Sequence, residues 1–396
     1  MNKKKQSAFH ATSAYALLQV VCWGFFAINM GFSSNVLIQG HGFTDSQVSI
    51  LLGLCTAGSF VLQLVTAERI AASKKLRMWA VLSVLGGVMA VSNLLVLIPG
   101  VSPLATGVCY CLAVLILLMM PSFVNAIGMD AIMRGSATNY SAARAVGSLG
   151  YSILAYVTGL LVRGWGIRMV SVMGALCAVL LTVSALWFHI AGEKGLPEAE
   201  VRKKTEQEPG FLRAYPRFTV FLIASVFLQF SHNLLTAFLF QIMEVKQGGA
   251  AEQGVAAAIS ALVELPVMFF FPLMMRRLRC DKWVRFSSLF VAVKCVGILL
   301  AATPGGIYLA QATQMLGYGL YTISSVNYAE LVVGRGESVR AQTYLGATAT
   351  VGTLFATSTG GFICQHLGPQ VMVMVSLGAA LAGGILIALT AEKTRQ

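Results

Sequence analysis

Twelve apolar runs, each near the length that crosses a bilayer, follow one another through a chain of 396 residues. They cover 13–38, 46–67, 77–98, 103–126, 141–162, 168–190, 217–241, 252–275, 285–303, 306–329, 339–364 and 370–390. A helix needs about 20 apolar residues to cross the hydrocarbon. Lipid offers no partner to an open N–H or C=O, so a spanning run must be a helix or belong to a closed barrel. Barrel strands are shorter and alternate in polarity, whereas these runs are continuously apolar. Turn signals such as Gly40-His41-Gly42, Pro99-Gly100 and Pro304-Gly305 separate them. Charged residues make up 11% of the chain, against about 25% in soluble domains. That excludes a cytosolic enzyme, a secreted domain and a disordered protein. The expected fold is an all-α polytopic membrane protein with twelve transmembrane helices.

Charge sets the orientation. The net charge is +13, and in a soluble protein it would raise nucleic acid as a partner. Here the basic residues fall in alternate loops. With the N-terminus inside, 24 of the 28 Lys and Arg lie on the inner side. Among them are Lys3–Lys5, Arg69, Lys74, Lys75, Arg134, Arg144, Arg202–Lys204, Arg276, Arg277, Arg335 and Arg340. Arg163, Arg168 and Lys246 lie outside, and Lys294 sits within a span. This bias predicts cytoplasmic termini in a plasma or inner membrane, with lipid rather than nucleic acid as the surrounding partner. The eight Cys lie mostly in apolar runs without CxxC pairs, so no disulfide framework, metal or other cofactor is expected. The first apolar run leads into more membrane and reads as a span, not as a cleaved signal.

The stretch 191–216 is the one long polar connection, and it divides the chain into six spans and six. The expected domains are therefore 1–190, a cytoplasmic linker 191–216, and 217–396. A shift of 202 residues places Gly150 on Gly352, Gly159 on Gly361 and Gly166 on Gly368, which suggests two pseudo-symmetric six-helix bundles. Small residues at such positions let helix backbones approach closely in lipid.

Ionisable and amide side chains inside spans mark candidate chemistry. Glu264 lies 12 residues into span eight, near the midplane, and Lys294 is equally central in span nine. Each is about 15 residues from the connecting loop, so antiparallel helices place them at one depth, paired directly or through substrate or water. His232 shares a face of span seven with Gln229, Asn233, Thr236 and Phe240. Span one carries Gln19, Trp23, Phe26 and Asn29 at helical spacing, and span ten carries Gln311, Gln314, Tyr318, Thr322 and Ser325. Amides beside aromatics suit a solute with hydroxyls and an apolar face. Glu68 with Arg69 and Lys74, and Glu330 with Arg335 or Arg340, read as cytoplasmic gates. No HExxH, G-x-x-x-x-G-K-[ST] or G-x-S-x-G occurs, so neither catalysis nor nucleotide hydrolysis is expected.

Four stretches resemble the major facilitator superfamily, and within it the lactose permease branch with its oligosaccharide, nucleoside and aromatic-acid permeases. They are Arg144-Ala-Val-Gly147-Ser-Leu-Gly150-Tyr151, Glu264-Leu-Pro-Val-Met-Phe-Phe-Phe-Pro-Leu followed by Arg276-Arg277, Ala292-Val-Lys294-Cys-Val-Gly297, and Arg340-Ala-Gln-Thr-Tyr-Leu-Gly346 onward to Gly360-Gly361. The loop after span two departs from the superfamily's G-x-x-x-D-[RK]-x-G-[RK]-[RK]. It keeps Glu68-Arg69 but has Leu64 and Ala71 for the two glycines. Where span ten of the lactose permease carries a Lys, a His and a Glu, this chain has Gln311, Gln314 and Gly317. In the lactose permease a carboxylate near the position of Asn125 pairs with the Arg that Arg144 matches, so the resemblance implies Asn125 or Asp130 as the partner of Arg144, with Asp130 near the cytoplasmic gate. It also implies that Tyr151 stacks on the solute and that His232 stands near an acidic position of the permease.

The resulting expectation is a major facilitator fold and a secondary active transporter. It would take up a small polar solute such as a sugar, oligosaccharide or nucleoside with protons, by alternating access, as a monomer. Glu264, Lys294 and His232 are expected to carry proton coupling. Solute binding is expected at Trp23, Asn29, Asn125, Arg144, Tyr151, Gln229, Asn233, Gln314 and Tyr318, and gating at Glu68, Arg69, Asp130 and Glu330. The alternatives are a proton-coupled exporter of amphipathic compounds and an organic-acid permease. A membrane enzyme or a sensor would need a clustered nucleophile or a soluble domain.

Overall fold

The computed structural model describes residues 3–72, 77–193, 210–333 and 337–394. Most of the expected linker, and with it Lys74, Lys75, Arg202–Lys204 and Arg335, lies outside them. The described residues contain no strand, and each expected apolar run is helical. Ten helices among them are long and apolar enough to cross a membrane. The other two runs are spans ten and eleven, and each differs for a readable reason. Span ten is divided into Pro304–Ala312, a 3-10 turn Thr313–Met315, and Tyr318–Val332. Span eleven is a helix of 30 residues, Ser338–Leu367, but it is rich in Thr. Those hydroxyls bond back to their own helix: Thr348 to Leu345 O, Thr353 to Ala349 O, Thr357 to Thr353 O and Thr359 to Phe355 O. The polarity is thereby satisfied within the span.

The chain divides into two compact units. One is Met1–Phe43 with Leu54–Thr205, and the other is Thr44–Gly53 with Glu206–Gln396. In the first, span one (Lys3–Phe25, extended by short segments to Gly40) packs along span five (Tyr140–Trp165), and span three (Met78–Leu95) along span six (Arg168–Phe188). The rest of this unit is span two, Asp45–Ala72, whose first residues cluster with the second unit, and span four, Pro103–Met133. In the second unit, span seven (Pro216–Ala237) packs along span eleven, and span nine (Cys280–Leu300) along span twelve (Pro369–Thr390). The pairings repeat with an offset of six spans.

Two of the three glycine coincidences fit this repeat. A Cβ on Gly150 would lie 2.8 Å from the Val20 side chain and 3.0 Å from its backbone; on Gly352 it would lie 2.5 Å from Gln229 Cβ and 2.8 Å from Phe230 N. Each glycine thus seats span five on one, or span eleven on seven. Gly166 and Gly368 end the two spans with φ of 88° and 89°, a left-handed geometry that glycine adopts without strain.

Several spans are locally broken. Span one carries two π-helical stretches, Phe26–Met30 and Val36–Gly40, and span six ends in a third, His189–Glu193. Span seven kinks at Phe238 before Leu239–Val245, which takes the buried Phe240 out of the expected polar stripe. Span eight is two helices, Ala250–Leu262 and Glu264–Met275, meeting at Val263. Departures from α-helix at membrane depth recur where a site is built.

Candidate functional site

In the second unit the breaks of spans eight and ten come together. Glu264 opens the second half of span eight, and Gln314 stands in the turn that divides span ten. Gln314 Nε2 donates to Glu264 Oε1 at 2.6 Å, and Lys294 Nζ donates to Gln314 Oε1 at 2.5 Å. Lys294 is 6% exposed and Gln314 4%; Glu264 is half-buried. The acid and base expected at one depth are therefore joined through an amide side chain. A buried ammonium needs such acceptors, because lipid and packed protein supply none.

Beside this chain stands an aromatic pair. The rings of His232 and Tyr318 stack at 3.5 Å with 2° between their planes. Tyr318 Oη donates to Gln229 Oε1 at 2.8 Å. Asn233 Nδ2 donates to Gln229 O, and Thr236 Oγ1 to His232 O. His232, Asn233, Thr236 and Tyr318 are half-buried. Span seven thus presents His232 and Gln229 toward span ten, as the shared face predicts, while Asn233 and Thr236 are turned to their own backbone. The expected stripe along span ten is interrupted. Gln311 is buried on the near side of the turn with its Oε1 unpartnered, and Thr322 and Ser325 bond back within the helix.

The first unit holds a separate cluster. The Arg144 guanidinium lies 4.1 Å above the Trp23 ring, a cation–π contact, and its Nη1 donates to Ser148 Oγ at 3.0 Å. Trp23 Nε1 donates to Gln19 Oε1, and Gln19 Nε2 donates to Tyr15 Oη and to Asn125 Oδ1. Trp23, Asn125 and Tyr151 are half-buried. Asn125 is thus engaged by Gln19, and Arg144 is engaged by Trp23 and Ser148.

Two further expectations are corrected, and two rest partly on residues outside those described. Asn29 is wholly buried; its Nδ2 donates to Asn93 Oδ1 at 3.0 Å, and its carbonyl accepts from Tyr110 Oη. A Cβ on Gly174 would come within 2.3 Å of Asn29 Oδ1 and 2.6 Å of Asn93 Oδ1, so the two amides are wedged against span six. Asn29 therefore ties helices together and faces no open space. Asp130 does not turn toward Arg144 but pairs with Arg134 at 2.8 Å. Arg340 pairs with Glu337 at 3.2 Å, and Glu330 is exposed at the end of span ten; its other expected partner, Arg335, lies outside the described residues. Glu68 and Arg69 are exposed at the end of span two; the lysine expected beside them lies outside the described residues.

One cluster escaped the sequence reading. Arg134 bridges Asp130 and Glu193, each at 2.8 Å, and His189 Nδ1 meets Glu193 Oε2 at 3.0 Å. The His189 ring in turn stacks on Trp79 at 4.5 Å. The spacing of Asp130 and Arg134, four residues on a helix, was a visible signal. Glu193 joins them through a π-helical turn that no sequence pattern marks.

Comparison with known proteins agrees with this architecture. A family model, the MFS_1-like family, matches residues 19–375. A putative sugar efflux transporter from Deinococcus radiodurans is 25% identical over 243 residues, 60% of this chain and 61% of that protein. The chain thus aligns with about three-fifths of that relative's length. A crystal structure of the nucleoside transporter NupG superposes with a TM-score of 0.72 at 16% identity, covering 98% of each chain. A D-xylose–proton symporter superposes with a TM-score of 0.72 at 11% identity, again covering 98% of each. At these identities the superpositions speak for the fold alone, whereas the family model spans most of the sequence: the chain belongs to the MFS_1-like family of the major facilitator superfamily and has the fold of its multi-pass membrane transporters.

Proposed function

We propose that this transporter carries a small polar solute, such as a sugar, oligosaccharide or nucleoside, into the cell together with protons. It works by alternating access as a monomer in the plasma or inner membrane, with both termini cytoplasmic. The observation that carries the reading is the Glu264–Gln314–Lys294 chain at the breaks of spans eight and ten. A carboxylate at this depth persists only with partners, and exchange of those partners for a proton is the elementary step of a proton carrier. Glu264 takes up the proton, Lys294 is its switching partner, and His232 stands beside them on Tyr318. Trp23 with Asn125, Arg144 and Tyr151 in the first unit, and Gln229 and Tyr318 with Asn233 in the second, supply aromatic and polar contacts for hydroxyl-bearing solutes.

Export is the second reading, and the sugar efflux relative favours it. The same proton chemistry run as exchange would serve it. An organic-acid permease is the third, favoured by two basic groups, Arg144 and Lys294, against a single central acid.

A thermal-shift screen of the purified protein against sugars, nucleosides and aromatic carboxylates identifies the solute, because a ligand of the folded state raises its stability. Proteoliposomes loaded with that ligand then decide the coupling. Glu264→Gln is expected to abolish uphill accumulation while counterflow persists. Undiminished accumulation by this variant overturns the role of Glu264, and accumulation driven outward by an inward proton gradient replaces uptake with export.

A further inference from the structure

An amide side chain has one accepting end and one donating end. Gln314 uses both: its carbonyl receives the Lys294 ammonium and its NH2 reaches the Glu264 carboxylate. The turn that carries it is pressed onto its neighbours. A Cβ on Gly317 would lie 3.2 Å from Val291 Cα, and one on Gly319 would lie 2.9 Å from Glu264 Cγ. Span nine and the second half of span eight therefore meet the break in span ten at van der Waals distance, and the 4% exposure of Gln314 leaves little room for it to act as a free solute contact.

We infer that Gln314 is a positioning residue that holds one oxygen of Glu264 in a chain with Lys294, so that proton uptake at the other oxygen presents a hydrogen-bond donor to the solute. The inference rests on the proton-coupled reading above. With Glu264 ionised and Lys294 charged, both ends of the amide are satisfied in the orientation observed. With both groups neutral the inverted amide is satisfied, its carbonyl receiving the carboxyl O–H and its NH2 reaching the amine lone pair. With Glu264 protonated on its other oxygen and Lys294 still charged, Oε1 still accepts from the Gln314 NH2 and the chain persists. The new carboxyl O–H is then a donor without a place in the chain, and it turns to a new acceptor. A solute hydroxyl or carbonyl is such an acceptor, which gives a proton-loaded site a preference for oxygen-rich solutes. Solute departure and loss of the proton restore the ionised chain, so no charge is created or lost at Lys294 during the cycle.

Titratable groups stand on the elements packed about the turn and on span seven beside Tyr318. They are Glu264 from span eight, Lys294 and Cys295 from span nine, Tyr308, Tyr318 and Tyr321 from span ten, and His232 from span seven. Cys295 is directed to Ser231 and Ser376, Tyr321 donates to Ser225, and His232 lies against Tyr318. Of these, Glu264 and Lys294 are the two that the amide touches.

The test is an infrared pH titration of the purified full-length protein, with no solute present. The Glu264 carboxyl band is identified as the one missing in Glu264→Gln. In Gln314→Met, which keeps the length of the side chain and removes both hydrogen bonds, the midpoint of that band is expected to move by about one pH unit or more. In Gln314→Glu a second carboxyl faces Glu264, and the single step is expected to divide into two coupled steps. Circular dichroism confirms that each variant is folded. An unmoved midpoint in folded Gln314→Met overturns the inference. If that variant does not fold, a single unaltered step in Gln314→Glu overturns it instead. Failure of the symport reading shows elsewhere, as uphill accumulation by Glu264→Gln.

Discussion

A charge within a membrane protein persists only where donors and acceptors meet it, and the Arg134 cluster shows how completely that can be arranged. The side chains of Arg134 and Glu193 are 18% and 8% exposed. Glu193 is held from two sides, by the guanidinium and by His189. Removing Arg134 leaves a buried carboxylate with half its support. Arg134→Met is expected to lower unfolding stability by about 2–3 kcal/mol, toward the low end of a broken buried pair because the guanidinium is partly wet. Glu193→Gln keeps an acceptor for Arg134 and should cost about 1 kcal/mol. Equal losses in the two variants, followed by thermal unfolding in detergent, would refute this account of the cluster. A subtler case is Tyr318. Tyr318→Phe preserves the stack on His232 and deletes the donor to Gln229, a side chain only 9% exposed. It should destabilise by about 1–2 kcal/mol, the desolvation cost of an acceptor left unpaired, and an unchanged melting point would show that Gln229 has another partner to turn to.

At the level of whole helices, the sequence made the spans legible and left their interruptions hidden. Hydrophobic length is a sum over many residues and survives local error, so each apolar run became helix. A π-helical turn or a break depends on what the neighbouring span presents, and single-chain periodicity carries no record of that. Hence the stripe Gln311, Gln314, Tyr318, which periodicity places on one continuous helix, is interrupted at Thr313–Met315. The same limit explains Asn29, whose helical face was readable but whose partner, Asn93, lies 64 residues away. Glu264 and Lys294 were readable because depth follows from counting residues from one short loop. The glycine repeat offers a direct check on helix approach. Gly352→Leu would drive a side chain into Gln229 and the Phe230 backbone, and should cost about 2–3 kcal/mol by forcing spans seven and eleven apart. Gly346 lies on the same helix, and a methyl group added there would meet nothing within 4 Å. Gly346→Ala should be neutral or stabilising by about 0.5–1 kcal/mol through helix propensity. If the two substitutions have similar effects on thermal stability, close packing at Gly352 is not what seats the helix.

For the molecule as a whole, duplication and charge act on different properties. The repeat of pairings, one on five and three on six, then seven on eleven and nine on twelve, follows from two copies of one six-span plan. That plan has no preferred direction across the bilayer. Direction comes from the loops, where basic residues are held back on the cytoplasmic side during insertion. Because 24 of the 28 Lys and Arg are expected on the cytoplasmic side, the orientation should resist small changes. Adding two or three lysines beside Arg163 and Arg168 opposes only one loop out of many. A reporter active only in the cytoplasm, fused after Gln396, should therefore stay active in that variant, and a reporter active only outside should stay silent. Inversion by so few charges would mean that orientation rests on a local signal near span five. In that case the excess of basic residues elsewhere in the chain would have some other use than topology.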